Sequence, residues 1–237
     1  MFVLKRISMV IASILIPTHN HGELINFAVQ SVLEQTVQDF ELFIIGDGPT
    51  KETRVAAQAL VNDKVKYEEF PKAGRTGEPH RHHVITKKTT GKYIFYLSDD
   101  DIWTKRHLET MLQALQSGNF CHSKYIEVMG KPRHEHLLPN DKKLLIKQNF
   151  NFIPLSCGAH SRGLYAKLKE GWTETPEKYH TDHYMWKKLV SHPDCLSTSS
   201  KHTTVINFPS KNRMNESIDS RKQEIEKWLA ENTQTIA

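Results

Sequence analysis

Cysteine is scarce: Cys121, Cys157 and Cys195 are the only three in 237 residues. An odd number without a close pair excludes a disulfide framework or a cysteine metal knot, and suits reduced thiols in a cytoplasmic protein. Long apolar runs are missing too; none approaches the roughly 18 residues that a bilayer-spanning helix needs. Lys5 and Arg6 precede an apolar stretch, but no small-residue cleavage site follows and the run stops at Pro17-Thr18-His19-Asn20. Residues 12–16 therefore read as a core strand rather than a secretion signal. Charge is only mildly one-sided, 32 basic against 27 acidic residues for a net +5. That leaves room for an anionic substrate while lacking the basic stripe of a nucleic-acid binder. No GxGxxG follows an expected strand, which argues against a dinucleotide-dependent oxidoreductase. The first strand also lacks a glycine-rich basic loop after it, which argues against a sugar-phosphate nucleotidyltransferase.

What the chain does have is alternation. Apolar runs at 12–16, 41–45 and 93–97 predict strands, a further strand is expected near 65–69, and helical periodicity fills 23–35, 52–61, 82–90 and the stretch carrying Leu108, Met111, Leu112 and Leu115. Strand–helix alternation of this kind predicts an α/β fold: a Rossmann-like, mixed but mainly parallel sheet with helices on both faces. The second half is less regular. Strands are expected over 120–129, 153–161 and 203–208, helices over 164–168, 182–190 and 217–230, and a polar, basic loop over 130–140 followed by a short amphipathic stretch at 144–146. No repeat or linker interrupts the chain, so a single domain is expected over 1–237.

The most informative residues are Asp99, Asp100 and Asp101, placed where the run Tyr93–Leu97 ends. Three carboxylates at the end of a buried strand repel one another and lose hydration, which calls for a compensating cation. A solvated acidic turn capping the next helix is the plainer reading. Ligands in open α/β sheets bind beyond the carboxyl ends of the strands. That rule brings the triplet together with residues 17–20 and with Asp47 of the turn Gly46-Asp47-Gly48.

In order, SILIPTHN (13–20) with SVLEQT (31–36), FELFIIGDGPT (40–50) and GKYIFYLSDDDIW (91–103) resemble the signatures of the family 2 glycosyltransferases, which have the GT-A fold. HTDHYMWKKL (180–189) is a weaker fourth match. The resemblance implies an enzyme that transfers a sugar with inversion from a nucleoside-diphosphate donor, most often a UDP-sugar, to a saccharide or lipid-linked acceptor. It implies that Pro17, Thr18, Asn20 and Asp47 line the nucleoside pocket, that Asp99 contacts ribose, and that Asp100 holds Mg²⁺ or Mn²⁺. Asp101 joins the metal set by the same resemblance, or else orients the loop or caps the next helix, and a late histidine, His202, is a further candidate ligand. Ser98 stands where the commonest pattern has aspartate, so a Thr-Asp-Asp variant of the metal motif fits better.

Asp182 matches the family's general base, although Thr181 replaces the usual glutamate and His180 or His183 could take the role. Arg81, ahead of Arg75, is expected to reach the diphosphate. The 14 histidines include the pairs His134/His136 and His180/His183, but without cysteine partners they do not make a zinc site. Residues 1–115 are thus expected to bind the donor and 116–237 the acceptor, with 130–152 as a basic, aromatic cover. Lysines and arginines there and in 213–227 would suit peripheral contact with anionic lipid. A chain that binds nucleotide-sugar or glycan without turning it over is the alternative.

Overall fold

In the computed structural model, residues 9–128, 133–136, 151–209, 213 and 215–232 are described, 133–136 and 231–232 by backbone alone. Every residue of β2 (Phe40–Asp47) is buried, and β1 (Ala12–Thr18) is buried at all but one position. Strands buried at consecutive positions need cover on both faces, which is the signature of a parallel sheet packed between helices. β1 pairs in parallel with β2 on one side and with β4 (Tyr93–Tyr96) on the other, and β2 pairs in parallel with β3 (Val65–Phe70). The connections are α1 (Ile25–Leu33), α2 (Lys51–Ala59) and α3 (Glu78–Lys87). Thr50 opens α2 by accepting a hydrogen bond from the Thr53 N–H, as an N-cap should.

The second half turns the sheet mixed. Its order is β3-β2-β1-β4-β8-β6-β9-β5, with β7 (Arg133–His136) alongside β6. β8 (Gly158–Ser161) runs antiparallel to both β4 and β6 (Phe120–Val128). β9 (Ser197–Asn207) runs parallel to β6, and β5 (Ile102–Trp103) is antiparallel to β9. Among the described residues four further helices follow: α4 (His107–Ala114), α5 (Arg162–Ala166), α6 (Thr181–Ser191) and α7 (Ile218–Asn232). The expected strand at 153–161 is shorter than its apolar run, because Leu155–Cys157 forms a 3-10 turn after Pro154. The expected stretch at 144–146 lies outside the described residues, as does most of the 130–152 cover.

One large core joins both halves, and a smaller one seats α7: Ile225 and Trp228 pack with Leu24, Ile102, Ile206 and Phe208. Two fully buried histidines belong to this framework. His107 stacks on Trp103 with centroids 4.0 Å apart and bonds Thr204 Oγ1 at 2.7 Å, while His160 bonds the Tyr96 hydroxyl at 2.7 Å. Burial pushes His107 down to about 3 and His160 down to about 4. The unfolded chain takes up a proton at each below about pH 6.5 and the native state does not, so stability falls as pH drops. Each histidine is expected to cost about 2 kcal/mol at pH 5 relative to pH 7. Urea titrations at the two pH values check this: His107→Gln should show a pH-dependent loss smaller than wild type by that amount.

Candidate active site

β4 stops at Tyr96, whereas β1 and β2 run on to Thr18 and Asp47. Strand order departs in opposite directions on the two sides of β1, and the crevice at such a switch point is where α/β sheets bind ligands. A cavity of about 510 Å³ opens there. The structure brings Pro17, Thr18, Asn20 and Asp47 to its wall, together with Arg81, Asp99, Asp100 and Asp182. Asp101 and His202 are not on that wall.

Asp47, at the end of β2, is buried. Its carboxylate accepts from the Ala73 N–H at 2.7 Å and from Lys72 Nζ at 2.7 Å, with His80 Nε2 3.3 Å away. His80 in turn stacks flat on Phe70, centroids 4.6 Å apart. Two glycines make this approach possible. Gly48 turns the chain at φ +55°, and Gly77 opens α3 at φ +77° with its backbone against Asp47, where a Cβ would lie 3.0 Å from the carboxylate's own Cβ.

Each aspartate of the triplet meets a different environment. Asp99 accepts from the Thr18 hydroxyl at 2.5 Å and faces His21 Nδ1 at 2.7 Å. Burial opposes a charge on His21, but the Asp99 hydrogen bond and the charges of Asp99 and Asp100 prevail and raise it to about 9. His21 is therefore an imidazolium at neutral pH. Asp100 forms a buried ion pair with Arg221 of α7, 2.6 Å from Nη2. Among the described residues, His21, Asp99 and Asp100 can offer one ligand atom each within 4.8 Å of one another. One nitrogen and two carboxylate oxygens suit a divalent ion that takes further oxygen ligands from phosphate or water.

Asp101 does other work. It accepts from the Ser156 hydroxyl at 2.5 Å, the Asn207 amide at 3.0 Å and the Phe208 N–H at 2.8 Å. Burial, then the neighbouring Asp100 charge, raises it to about 7. Of the roles expected for it, these contacts suit the loop-orienting one: its oxygens knit the triplet loop to β9 and to the turn at Ser156. Asp101→Ala would strand three donors, and a loss of about 3 kcal/mol is expected in denaturant unfolding. His202 lies away from that wall. The β6–β9 register shifts between Ser199 and Thr203, and that irregularity leaves His202 exposed on the strand, outside the cavity.

The opposite wall is cationic. Arg81 is buried, lies over the Trp172 ring at 4.5 Å, and donates to the Thr76 carbonyl at 2.8 and 3.0 Å. Its Nε is buried without a partner. Burial works against its charge, and the carboxylates of Asp182, Glu78 and Asp47 support it. Arg75 donates to the carbonyls of Thr175 (3.0 Å) and Tyr179 (3.5 Å). Among the described residues neither guanidinium is ion-paired with a carboxylate, so both retain charge for an anion from outside.

Asp182 sits in the first turn of α6 and accepts from the Leu155 N–H at 3.1 Å and the Asn151 amide at 3.5 Å. Burial raises its pKa, and Arg81 and these donors partly offset the rise. The result is a carboxylate more basic than usual, at the edge of the cavity. Of the two histidines beside it, His180 lines the cavity and His183 is buried. Sequence reasoning missed His21 and Arg221. His21 stands in plain view after Asn20, but its partner is 78 residues away. Arg221 lies on a charged helix that resembles any solvated surface helix.

A mixed α/β sheet thus carries a carboxylate-rich crevice at its switch point, faced by guanidinium groups that have no ion pair among the described residues. Residues 13–170 match the model of glycosyl transferase family 2, and the chain belongs to that family. It is 32% identical over 111 residues to an uncharacterized glycosyltransferase of Rickettsia bellii, covering 47% of this chain and 16% of that protein. It is 27% identical over 111 residues to the Escherichia coli glucosyltransferase WfgD, covering 46% of this chain and 42% of WfgD. The chain thus spans less than half the length of these curated relatives.

Among solved structures, S. aureus TarS in complex with UDP-GlcNAc aligns with a TM-score of 0.64 at 15% identity, over 84% of this chain and 58% of that one. The mannosyltransferase PcManGT of Pyrobaculum calidifontis, in complex with GDP-Man and Mn²⁺, aligns with a TM-score of 0.61 at 13% identity, over 85% and 57%. At such identities the likeness shows the fold, and it is the expected one. No helix among the described residues is long and apolar enough to cross a membrane.

Proposed function

We propose that the chain transfers a hexose, with inversion, from a UDP-sugar to a saccharide or lipid-linked acceptor, using residues 1–115 for the donor and 116–237 chiefly for the acceptor. The observation that carries this reading is Asp182: a carboxylate of raised basicity, fixed by Leu155 and Asn151 at the rim of a cavity whose other walls hold Asp99, Asp100 and two guanidinium groups with no ion pair among the described residues. WfgD is named as acting from UDP-Glc on a diphosphoundecaprenol-linked GlcNAc, which supports the donor base and the acceptor class.

In this reading Asp47, at the end of β2, receives the donor's base, and Thr18 and Asp99 its ribose. Arg81 and Arg75 face the diphosphate. Asp182 takes the proton of the acceptor hydroxyl as its oxygen bonds to the anomeric carbon. The bond from that carbon to the diphosphate oxygen breaks on the opposite face, and the electron pair leaves with the nucleotide. The donor set of Asp99, Asp100 and His21 fits a divalent cation. Mg²⁺ or Mn²⁺ held there would offset the charge of the departing diphosphate. Because His21 is protonated at neutral pH, ligation through it would release a proton.

Release of nucleoside diphosphate from a panel of sugar nucleotides, without acceptor and with Mn²⁺, tests the proposal. UDP-hexoses should be cleaved slowly, and Asp100→Ala should abolish the release. Tight UDP binding without release from any donor, across a broad acceptor panel, would make the chain a binder instead.

A further inference from the structure

Arg221 is a buried cation with an uncommon address. It comes from the last helix of the described chain, 121 residues beyond Asp100, yet its Nη2 lies 2.6 Å from Asp100 Oδ2. The same oxygen is 3.9 Å from His21 Nε2. Asp100 lines the cavity and Arg221 does not, so the guanidinium reaches the carboxylate from the protein side. Several contacts hold it there. Ile225 and Trp228, about one and two turns further along α7, are buried in the smaller core. Lys222 pairs with Glu23 at 2.6 Å, and Glu224 pairs with the buried Arg213 at 2.6 Å.

Asp100 therefore already has a counter-cation, the Arg221 guanidinium of α7. A divalent ion arriving at Asp100 meets an oxygen engaged by a fixed positive charge a few ångströms away. In a partly buried site that repulsion is weakly screened and opposes the ion. Relaxation would shift the Arg221 side chain and, through its packing, the first turn of α7.

From this geometry, and resting on the donor-site reading above, we infer that Arg221 is the resident counter-cation of Asp100: it weakens divalent-metal binding, and metal binding loosens the docking of α7. The coupling is reciprocal, as any linkage between two equilibria must be. The C-terminal helix is thereby part of the metal and donor site, and whatever steadies or displaces it changes how tightly that site holds its ion.

The test uses the whole chain without nucleotide or acceptor. Mn²⁺ is titrated calorimetrically at one fixed pH into wild type, Arg221→Gln, Arg221→Lys and Lys222→Gln. Arg221→Gln should bind Mn²⁺ about tenfold more tightly than wild type, within the usual range of coupling between sites. Arg221→Lys should remain near wild type. Lys222→Gln makes the same change in net charge and loosens α7 only through its Glu23 contact, so it should tighten Mn²⁺ binding less than Arg221→Gln does. Equal or weaker Mn²⁺ binding by Arg221→Gln, or no detectable binding by any of the four proteins, would overturn the inference.

A second readout needs no variant. On wild type, saturating Mn²⁺ should speed amide hydrogen exchange within Ile218–Asn232 and leave β1 and β2 unchanged. Unchanged or slower exchange in α7 would overturn the inference even if Arg221→Gln failed to fold. Neither readout involves turnover, so a chain that bound Mn²⁺ as described but transferred no sugar would refute the proposed reaction and leave this coupling standing.

Discussion

Asp182→Asn is expected to lower the rate of sugar transfer by about 10²–10⁴-fold, the usual worth of a positioned general base, while UDP binding stays within about threefold of wild type. The amide keeps an oxygen to accept from the Leu155 N–H and the Asn151 amide, which hold the carboxylate now. The first turn of α6 should therefore stay in place, and only the capacity to take a proton is removed. Wild-type activity should also fall on the acid side as Asp182 protonates, beginning at higher pH than for an ordinary aspartate because burial raises its pKa. The acid limb of the pH–rate profile, measured at saturating donor, checks this. Full activity in Asp182→Asn would transfer the role to His180, which lines the same cavity.

Trp172→Ala is expected to have the largest effect on stability, about 3–5 kcal/mol in denaturant unfolding. Trp172 is almost fully buried. It meets Tyr96 and Trp186 edge-on, with centroids 5.5 and 5.9 Å away, and its Nε1 donates to the Tyr96 hydroxyl at 2.9 Å. One face carries the Arg81 guanidinium, so removing the ring should also weaken donor binding, because Arg81 would lose the surface that fixes its plane. Trp172→Phe keeps an aromatic face and loses the hydrogen bond, and should cost less than half as much. A loss below 1 kcal/mol in Trp172→Ala would contradict the packing described.

The contrast between Asp182 and Trp172 also shows how far the sequence could be read. The donor half was legible because β1, β2 and β4 are mainly apolar runs that stop at polar clusters, and parallel topology carries those clusters to one rim. Pro17, Thr18, Asn20, Asp47, Asp99 and Asp100 accordingly line the cavity. Trp172 and Arg221 were illegible for the opposite reason. Trp172 lies in an irregular segment between α5 and α6, where no periodicity marks it as core. Arg221 follows Ser220 on a helix rich in lysine and glutamate, where a buried ion pair and a solvated charge look alike.

Two strands escaped for related reasons. β5 is only Ile102–Trp103, too short for alternation to show. β9 begins six residues before its expected start because Ser197-Thr198-Ser199-Ser200 has no apolar pattern, yet its backbone pairs with Phe120–His122. Asp101 shows the limit for a single side chain. Its neighbours in sequence suggested metal, whereas its neighbours in space are Ser156, Asn207 and Phe208.

The central claim is that the crevice between Asp47, Arg81 and the acidic triplet holds a nucleoside diphosphate. Calorimetric titration of UDP into the protein, with and without Mn²⁺, into wild type and Asp47→Ala, tests it most directly. Binding by wild type that tightens with Mn²⁺ and is lost in Asp47→Ala is the predicted result. No heat of binding from UDP in the presence of Mn²⁺, or binding that Asp47→Ala leaves untouched, would contradict it.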